Sequence, residues 1–194
     1  MHAPSLERER TLRCQCLYRQ SVNTSESTSI ASSYSVQSVA VRYNRIRVQT
    51  MSCKMELIKT VLGRMVNTKG FDRCMKNIKL LSAGDGKCKA QFTVAEEHLN
   101  PGGFLHGGFT ATIIDGVSTC ALMTYKTDTP PGASIDLHVT YLKAAFPGET
   151  VTVDAKTLRA GKNLAFLTVE LTKNDGKDIV AHGQHTKYLG GVKQ

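Results

Sequence analysis

The chain has 194 residues, which is long enough for one domain with a real hydrophobic core. Apolar residues make up 41% of it, so it is not disordered from end to end. No stretch approaches the ~20 consecutive apolar residues of a membrane-spanning helix. The formal charge is +9, with 6% aromatic residues and no Trp, which suits an anionic small molecule better than a nucleic acid.

Residues 1–50 differ in composition from the rest of the chain. They hold seven Arg, three Glu and no Lys, and residues 21–38 are crowded with Ser and Thr. This composition is typical of a mitochondrial transit peptide, but a disordered extension without a targeting signal would have it too. A third interpretation is that translation starts at Met51 and the first 50 residues are an artefact of gene prediction. We therefore expect a cytoplasmic or mitochondrial protein, with one domain over residues 51–190 and a short tail at 191–194.

The six cysteines and the histidines give no metal-binding pattern. Cys14 and Cys16 are not accompanied by a second zinc-type pair, and no Cys-x-x-Cys occurs. His182 and His185 lie three residues apart in an extended run, so their side chains should point to opposite faces. We expect no metal, and reduced thiols in an intracellular compartment.

The first part of the domain predicts a helix followed by a β-hairpin. Met55, Ile58, Val61, Leu62 and Met65 recur at three- and four-residue steps, which indicates a short amphipathic helix ending before Gly70. Two extended runs, at 78–81 and 88–94, then flank a turn over residues 83–86. The second run places Cys88, Ala90, Phe92 and Val94 on one apolar face.

The second part predicts a buried helix and further strands. Residues 109–125 are almost all small or apolar, contain one acid, Asp115, and follow irregular glycine-rich segments at 100–103 and 106–108. Four extended runs follow, at 135–141, 151–158, 164–171 and 179–189, and consecutive strands of this kind predict an antiparallel meander. The expected fold is α+β: one long central helix wrapped by a curved antiparallel sheet of five to six strands.

The buried helix carries the features that indicate chemistry. Gly107 and Gly108 stand at its start, where unpaired backbone N–H groups and the positive end of the helix dipole can stabilise a developing oxyanion. An unpaired charge such as that of Asp115 costs free energy on an apolar stretch, so this carboxylate is expected to have a functional role. The alternative interpretations are that Gly107 and Gly108 form a simple turn and that Asp115 is a structural carboxylate. Eight helical residues rise about 12 Å, so joint action of Gly107 and Asp115 on one carbonyl requires two chains with antiparallel helices.

Several short motifs accompany this helix. They comprise His98 and Asn100, the run Leu105, His106, Gly107 and Gly108, then Thr110 and Thr112, Asp115, and residues 131–136, 140–142, 161–166 and 185–187. In combination, from Met51 to about Gly190, they resemble the hotdog-fold acyl-coenzyme A thioesterases.

The resemblance implies hydrolysis of medium- to long-chain fatty acyl-coenzyme A to free acid and coenzyme A, with no cofactor besides the substrate. It implies that Gly107 N–H polarises the thioester carbonyl and that Asn100 helps to place it. Asp115 of the partner chain would be the general base or the nucleophile, and Ser134 would orient the water. His106 would shape the loop, and ranks below Asp115 as a base. The protein would be a homodimer that assembles further into a dimer of dimers.

The resemblance also implies where the substrate binds. The residues expected to contact it are Asp136, Tyr141, Leu142, Lys143, Arg159, Gly161, Lys162, Asn163 and Tyr188. Lys143, Arg159, Lys162 and Lys187 stand at strand ends or turns, where they suit the phosphates of coenzyme A, although each one is equally compatible with an ordinary solvated surface charge.

Two other functions remain open on the sequence. An acyl dehydratase would need a His and a second carboxylate in the site, which His106 and Asp115 match poorly. A non-catalytic acyl-coenzyme A sensor or scaffold would not need to keep Asn100, Gly107 and Asp115 together with Ser134. A thiol-release assay separates these alternatives.

Overall fold

The computed structural model describes residues 53–190. The interpretations of residues 1–50, of a translation start at Met51 and of a tail at 191–194 lie outside the described residues. The described part confirms the α+β class, with two α-helices and one antiparallel sheet of six strands.

The elements follow one another in an order close to the predicted one. Helix α1 covers residues 53–66 and helix α2 covers Gly107–Met123, with short 3-10 helices at Phe71–Met75 and Glu96–His98. The strands are β1 (Lys79–Gly84), β2 (Lys87–Thr93), β3 (Ala133–Tyr141), β4 (Thr150–Ala160), β5 (Leu164–Lys173) and β6 (Asp178–Tyr188).

The predicted hairpin is confirmed in strands β1 and β2. Its two turn residues, Asp85 and Gly86, both have positive φ angles, of 50° and 76°. That conformation matches the right-handed twist of the flanking strands and explains the Asp-Gly pair. The predicted apolar face of β2 is buried, with Cys88, Ala90 and Phe92 each at most 2% exposed.

The prediction that all later strands form one meander is wrong for β3. The strand order is β1-β2-β4-β5-β6-β3, so β4, β5 and β6 form a meander while β3 pairs with β6 at the sheet edge. The connection over residues 142–149 causes this order, because it leaves β3 beside Val180 of β6 and ends at Val94, next to β2. Strand β3 is correspondingly exposed, with Ile135 at 58%.

Helix α2 lies against the sheet and contacts all six strands. Its residues Ile113 and Ile114 are fully buried, as are Val153 of β4 and Leu171 of β5, which face it. Each such aliphatic side chain contributes ~1.5–3 kcal/mol when it leaves water, so this layer is the main core of the domain. The predicted buried helix is thereby confirmed, two residues earlier than expected. Within residues 53–190, neither helix has the length and hydropathy needed to cross a membrane.

Candidate active site

Helix α2 begins with the amide of Gly107, a partly buried residue. His106 is the N-cap: its backbone is extended (φ −66°, ψ 130°), and its Nδ1 accepts a hydrogen bond of 2.8 Å from Gly108 N. The His106 carbonyl accepts from Thr110 N at 3.0 Å. Within residues 53–190, no group accepts from Gly107 N–H, which therefore remains available at the positive end of the helix dipole.

Asn100 lies in the loop before α2, and its side chain organises that loop. Asn100 Oδ1 accepts hydrogen bonds from Gly102 N (2.9 Å) and Phe104 N (3.4 Å), which folds the loop back on itself. A bridge between Leu99 and Leu105 then closes the loop next to the helix start. Because the side-chain carbonyl is used in the turn, the Nδ2 amide keeps its two N–H donors, for which the described part of the chain shows no acceptor.

The far end of β3 contacts the same helix terminus. Tyr141 Oη donates to the Gly107 carbonyl at 3.1 Å, and its ring lies 3.4 Å from the position that a Cβ on Gly107 would take. Tyr141 is 56% exposed, so its ring borders an open surface. We call Asn100, Gly107 and Tyr141 the amide half-site.

Asp115 lies two turns further along α2, about 12 Å along the axis. Its side chain is 45% exposed and its Oδ1 accepts a hydrogen bond from Ser134 Oγ at 3.2 Å. Lys187 Nζ lies 3.4 Å from the same oxygen and donates to Thr119 Oγ1 at 2.7 Å. Asp115 is therefore paired with a cation and a hydroxyl, and we call it together with Ser134, His185 and Lys187 the carboxylate half-site.

His185 connects the carboxylate half-site to the core. Its side chain is fully buried, with Nε2 3.0 Å from Ser134 Oγ and Nδ1 2.8 Å from Ser118 Oγ. Burial is the main cause that lowers the pKa of His185, and the charge of Lys187 acts in the same direction, while Asp115 opposes it. The imidazole is therefore neutral near pH 7 and acts as a hydrogen-bonding partner of Ser134.

Two members of this cluster lie elsewhere, or have other partners, than the sequence predicts. Lys187, expected at the mouth of the site, is 4% exposed and faces Asp115 because it pairs directly with Ser134 across β6 and β3. The sequence singles out His185 as a member of the 185–187 motif and as a rejected metal ligand, without a role in the site. The signal that could have revealed both is their position on the inward face of β6, where a polar side chain needs a partner. His182 lies on the other face and contacts Thr168 instead.

The predicted substrate-binding residues fall into two groups in one protomer. Tyr141, Leu142 and Lys143 lie at the end of β3 near the amide half-site, and the Lys143 ammonium is paired with Asp178 at 2.6 Å. Apart from Asp136, which lies within β3 between Ser134 and Tyr141, the others lie on strands or at the turn near the opposite end of α2: Arg159, Gly161, Lys162, Asn163 and Tyr188.

An open cavity of about 440 Å³ lies at this opposite end of α2. Gly161 and Lys162 line it together with Tyr125, Lys126 and residues 127–130 that follow the helix. The adjoining turn is anchored by a hydrogen bond of 2.7 Å from Leu189 N to Asn163 O. Arg159, Asn163 and Tyr188 do not line the cavity. Lys126 and Lys162 outnumber the one acid of the lining, Asp128, so the cavity carries a small net positive charge suited to an anionic group.

One protomer thus brings Asp115 to Ser134, and Gly107 to Tyr141, with Asn100 in the loop that leads to α2, but it does not bring the two half-sites together. The amide half-site can stabilise a negative oxygen, and the carboxylate half-site can hold a water and accept its proton. Each half alone supplies only part of an acyl-transfer site.

Comparisons with known proteins agree with this arrangement of elements. The family model of the Thioesterase superfamily matches residues 102–180. Acyl-coenzyme A thioesterase 13 of Mus musculus is 40% identical over 140 residues, covering 72% of this chain and 99% of that protein. The Homo sapiens protein of the same name is 39% identical with the same coverage. The crystal structure of zebrafish thioesterase superfamily member 2 matches with a TM-score of 0.67 and 41% identity, covering 70% of this chain and 98% of that one.

Proposed function

Since this chain belongs to the thioesterase superfamily and is a thioester hydrolase, we propose that it hydrolyses medium- to long-chain fatty acyl-coenzyme A at a site shared by two protomers. The main support is that one helix carries both the Gly107 N–H, which has no acceptor within residues 53–190, and the hydrogen-bonded carboxylate of Asp115. The relatives named acyl-coenzyme A thioesterase 13 support the substrate class.

The amide half-site would bind the thioester carbonyl. Gly107 N–H and Asn100 Nδ2 would donate to the carbonyl oxygen, and both interactions would strengthen as the oxygen becomes negative during attack. A single donor of this kind contributes about 10²–10³-fold to kcat in other acyl-transfer enzymes. The positive end of the α2 dipole adds to the effect.

The carboxylate half-site would supply the nucleophile. Asp115 takes a proton from a water molecule that Ser134 orients, the water oxygen bonds to the carbonyl carbon, and the carbon–sulfur bond breaks. The thiol that leaves has a pKa of about 8.5, so it departs as a thiolate without a dedicated acid. His185 and Lys187 would hold Ser134 and Asp115 in position. Direct attack by Asp115 is the alternative, and it would form an anhydride.

The edge strand β3 indicates how two protomers could unite the half-sites. Ser134 near its start contacts Asp115, and Tyr141 at its end contacts Gly107. If two copies of β3 pair antiparallel about a twofold axis near residues 137–138, residue 134 of each lies opposite residue 141 of the other. Each Asp115 would then face the partner's amide half-site.

Further contacts would accommodate the rest of the substrate and a second dimer. Lys126 and Lys162 would attract the phosphates of coenzyme A to the cavity beyond α2, with Arg159 nearby. The outer face of the sheet exposes Leu158, Leu164 and Phe166 at 38–57%, and this apolar surface supports the dimer of dimers.

The reaction is tested by thiol release from a series of saturated acyl-coenzyme A substrates of increasing chain length. We expect hydrolysis that is fastest for the medium and long chains. Tight binding without thiol release would instead favour a non-catalytic sensor. Hydration of an enoyl-coenzyme A without thiol release would favour a dehydratase.

The shared site is tested by mixing two inactive variants. Gly107→Pro removes the amide donor and Asp115→Asn removes the base, so each alone should be nearly inactive. If subunits exchange at random, half of the dimers are mixed and each holds one intact site, so activity should recover to about a quarter of wild type. A mixture as inactive as its components, with subunit exchange verified by mass spectrometry, would contradict the shared site.

A further inference from the structure

A buried ammonium lies outside both half-sites, at the end of β5. Lys173 is only 7% exposed, and its Nζ donates to both oxygens of Glu149 (2.9 and 2.7 Å) and to the Ala144 carbonyl (2.8 Å). An ammonium has three N–H donors, so its hydrogen-bonding capacity is fully used. Such complete pairing is what makes a buried charge tolerable.

Every acceptor of Lys173 belongs to the connection over residues 142–149. Glu149 Oε2 also accepts from Phe146 N at 2.8 Å, and the Lys173 ammonium lies 5.7 Å from the centroid of the Phe146 ring. The connection crosses between distant strands, and this charged cluster sets its path. We call Lys173, Glu149, Ala144 and Phe146 the crossover clasp.

The crossover clasp is joined to the loop of the amide half-site by two separate contacts. Leu105 N donates to the Ala145 carbonyl at 2.8 Å, one residue beyond the carbonyl that Lys173 holds. The Phe104 and Phe146 rings meet edge to face with centroids 6.5 Å apart. Leu105 stands two residues before Gly107, and Phe104 N donates to Asn100 Oδ1.

We propose that Lys173 is a positioning residue for the oxyanion donors, acting through the connection over residues 142–149. This inference rests on the proposed hydrolysis at Gly107 and Asn100. Donors that stabilise an oxyanion must be fixed before the reaction, and a misplacement of about 1 Å can lower the rate ~100-fold. The clasp and the adjoining Ala145 contact the loop of Asn100 and Gly107 through Leu105 and Phe104, and the clasp includes no residue of either half-site.

The first test is Lys173→Met, which keeps the length of the side chain and removes its charge and donors. We expect kcat to fall roughly tenfold with KM changed less than twofold, because the donors act on the transition state more than on bound substrate. The matched control is Lys59→Met on α1, which removes a lysine from an exposed ion pair with Glu56 (2.8 Å) and should leave kcat unchanged. An unchanged kcat in Lys173→Met would overturn the proposal.

Double-mutant cycles distinguish positioning from general loss of stability. Lys173→Met combined with Asn100→Ala should be clearly less than additive in kcat, since both act on one group of donors. When Lys173→Met is combined with Ser134→Ala, which lies in the other half-site, the two effects on kcat should be additive. Additivity in both cycles, or the same coupling in both, would overturn the proposal.

A readout independent of turnover is hydrogen exchange of the Leu105 amide, whose acceptor is held by the clasp. It should exchange faster in Lys173→Met and not in Lys59→Met, and equal rates would contradict the proposal. If wild-type protein releases no thiol, the proposed function fails, while the exchange rates still report on the clasp. If Lys173→Met does not fold, Glu149→Gln replaces it in the same cycles and exchange measurements, with the same expected pattern and a smaller effect.

Discussion

Gly183 of β6 approaches Ile114 of α2 so closely that a Cβ at position 183 would lie 2.7 Å from Ile114 Cγ2. The missing side chain lets the helix lie directly on this strand. The same strand carries His185 and Lys187 on its inward face, and the residue after Ile114 is Asp115. The contact between Gly183 and Ile114 therefore sets the distance at which the carboxylate half-site forms.

We expect Gly183→Ala to destabilise the domain by ~1–3 kcal/mol, because the added Cβ would collide with the fully buried Ile114, so that this side chain or the helix must shift. Chemical denaturation monitored by circular dichroism measures the change. Gly63→Ala is the control: a Cβ at that helical position meets nothing within 4 Å, so it should stabilise by about 0.5–1 kcal/mol. A Gly183→Ala protein as stable as wild type would show that the helix–strand packing is looser than described.

Gly107→Pro should lower kcat about 10²–10³-fold while the protein stays folded. Proline lacks the N–H that would donate to the oxyanion, yet it is favoured at the first position of a helix. The extended backbone of His106, with ψ at 130°, is the conformation that a residue before proline requires. Steady-state kinetics with an acyl-coenzyme A substrate measures the effect.

The matched control for Gly107→Pro is Gly107→Ala, which keeps the amide. Its Cβ would lie 3.4 Å from the Tyr141 ring, an ordinary contact, so kcat should change little. Equal losses of kcat in both variants would mean that any added side-chain atom at position 107 impairs the reaction. The N–H of Gly107 would then have no role in the mechanism.

Asp115→Asn should reduce kcat about 10²–10⁴-fold with little effect on stability. The amide oxygen of Asn can still accept from Ser134 and Lys187, and the side chain is nearly half exposed, so the fold loses little. Thiol-release kinetics and a thermal melt on the same sample separate the two effects. A normal rate would exclude Asp115 from the reaction.

Acid should destabilise the protein below about pH 6.5, in part through His98. This residue is 2% exposed and stacks on Phe109 with centroids 4.2 Å apart. Its Nδ1 accepts from Ala95 N at 3.1 Å, and its Nε2 has no partner within residues 53–190. Burial lowers the pKa of His98, whereas the Glu97 charge acts in the opposite direction.

The direction of this pH effect follows from proton binding in the folded and unfolded states. The unfolded chain binds a proton at His98 near pH 6.5, while the folded chain binds it only at lower pH, so stability falls as the pH drops through this window. His98→Phe, which keeps the stacked ring, should show a smaller loss of Tm between neutral and acid buffer than wild type. His185 contributes in the same sense, so part of the loss remains. A loss of Tm in His98→Phe as large as that of wild type would contradict the role of His98.

Much of the fold could be predicted because its determinants are local. The Asp85–Gly86 turn, the apolar face of β2 and the composition of α2 each reflect the conformation of a few consecutive residues. The place of β3 could not be predicted in this way. Its pairing with β6 depends on contacts between residues 40 to 55 positions apart, and on the crossover clasp, which is formed by residues from two separate segments.

The same division applies to the candidate site. Gly107 and Asp115 could be identified because glycines at a helix start and one acid on an apolar helix are unusual in their own surroundings. His185 and Lys187 are recognisable only as polar residues at inward positions of β6, and that position does not identify their partner. They join Asp115 because β6 lies between β5 and β3, so their contribution depends on the strand order.

Strand order also has a consequence for synthesis of the protein. Within the described domain, the partner of β3 is the last strand, β6. While the chain emerges from the ribosome, β3 therefore presents two unpaired edges, and Asp115 and Ser134 lack His185 and Lys187. The carboxylate half-site can be complete only after Tyr188 has left the exit tunnel, and until then β3 lacks its partner, a state in which unpaired strand edges favour aggregation.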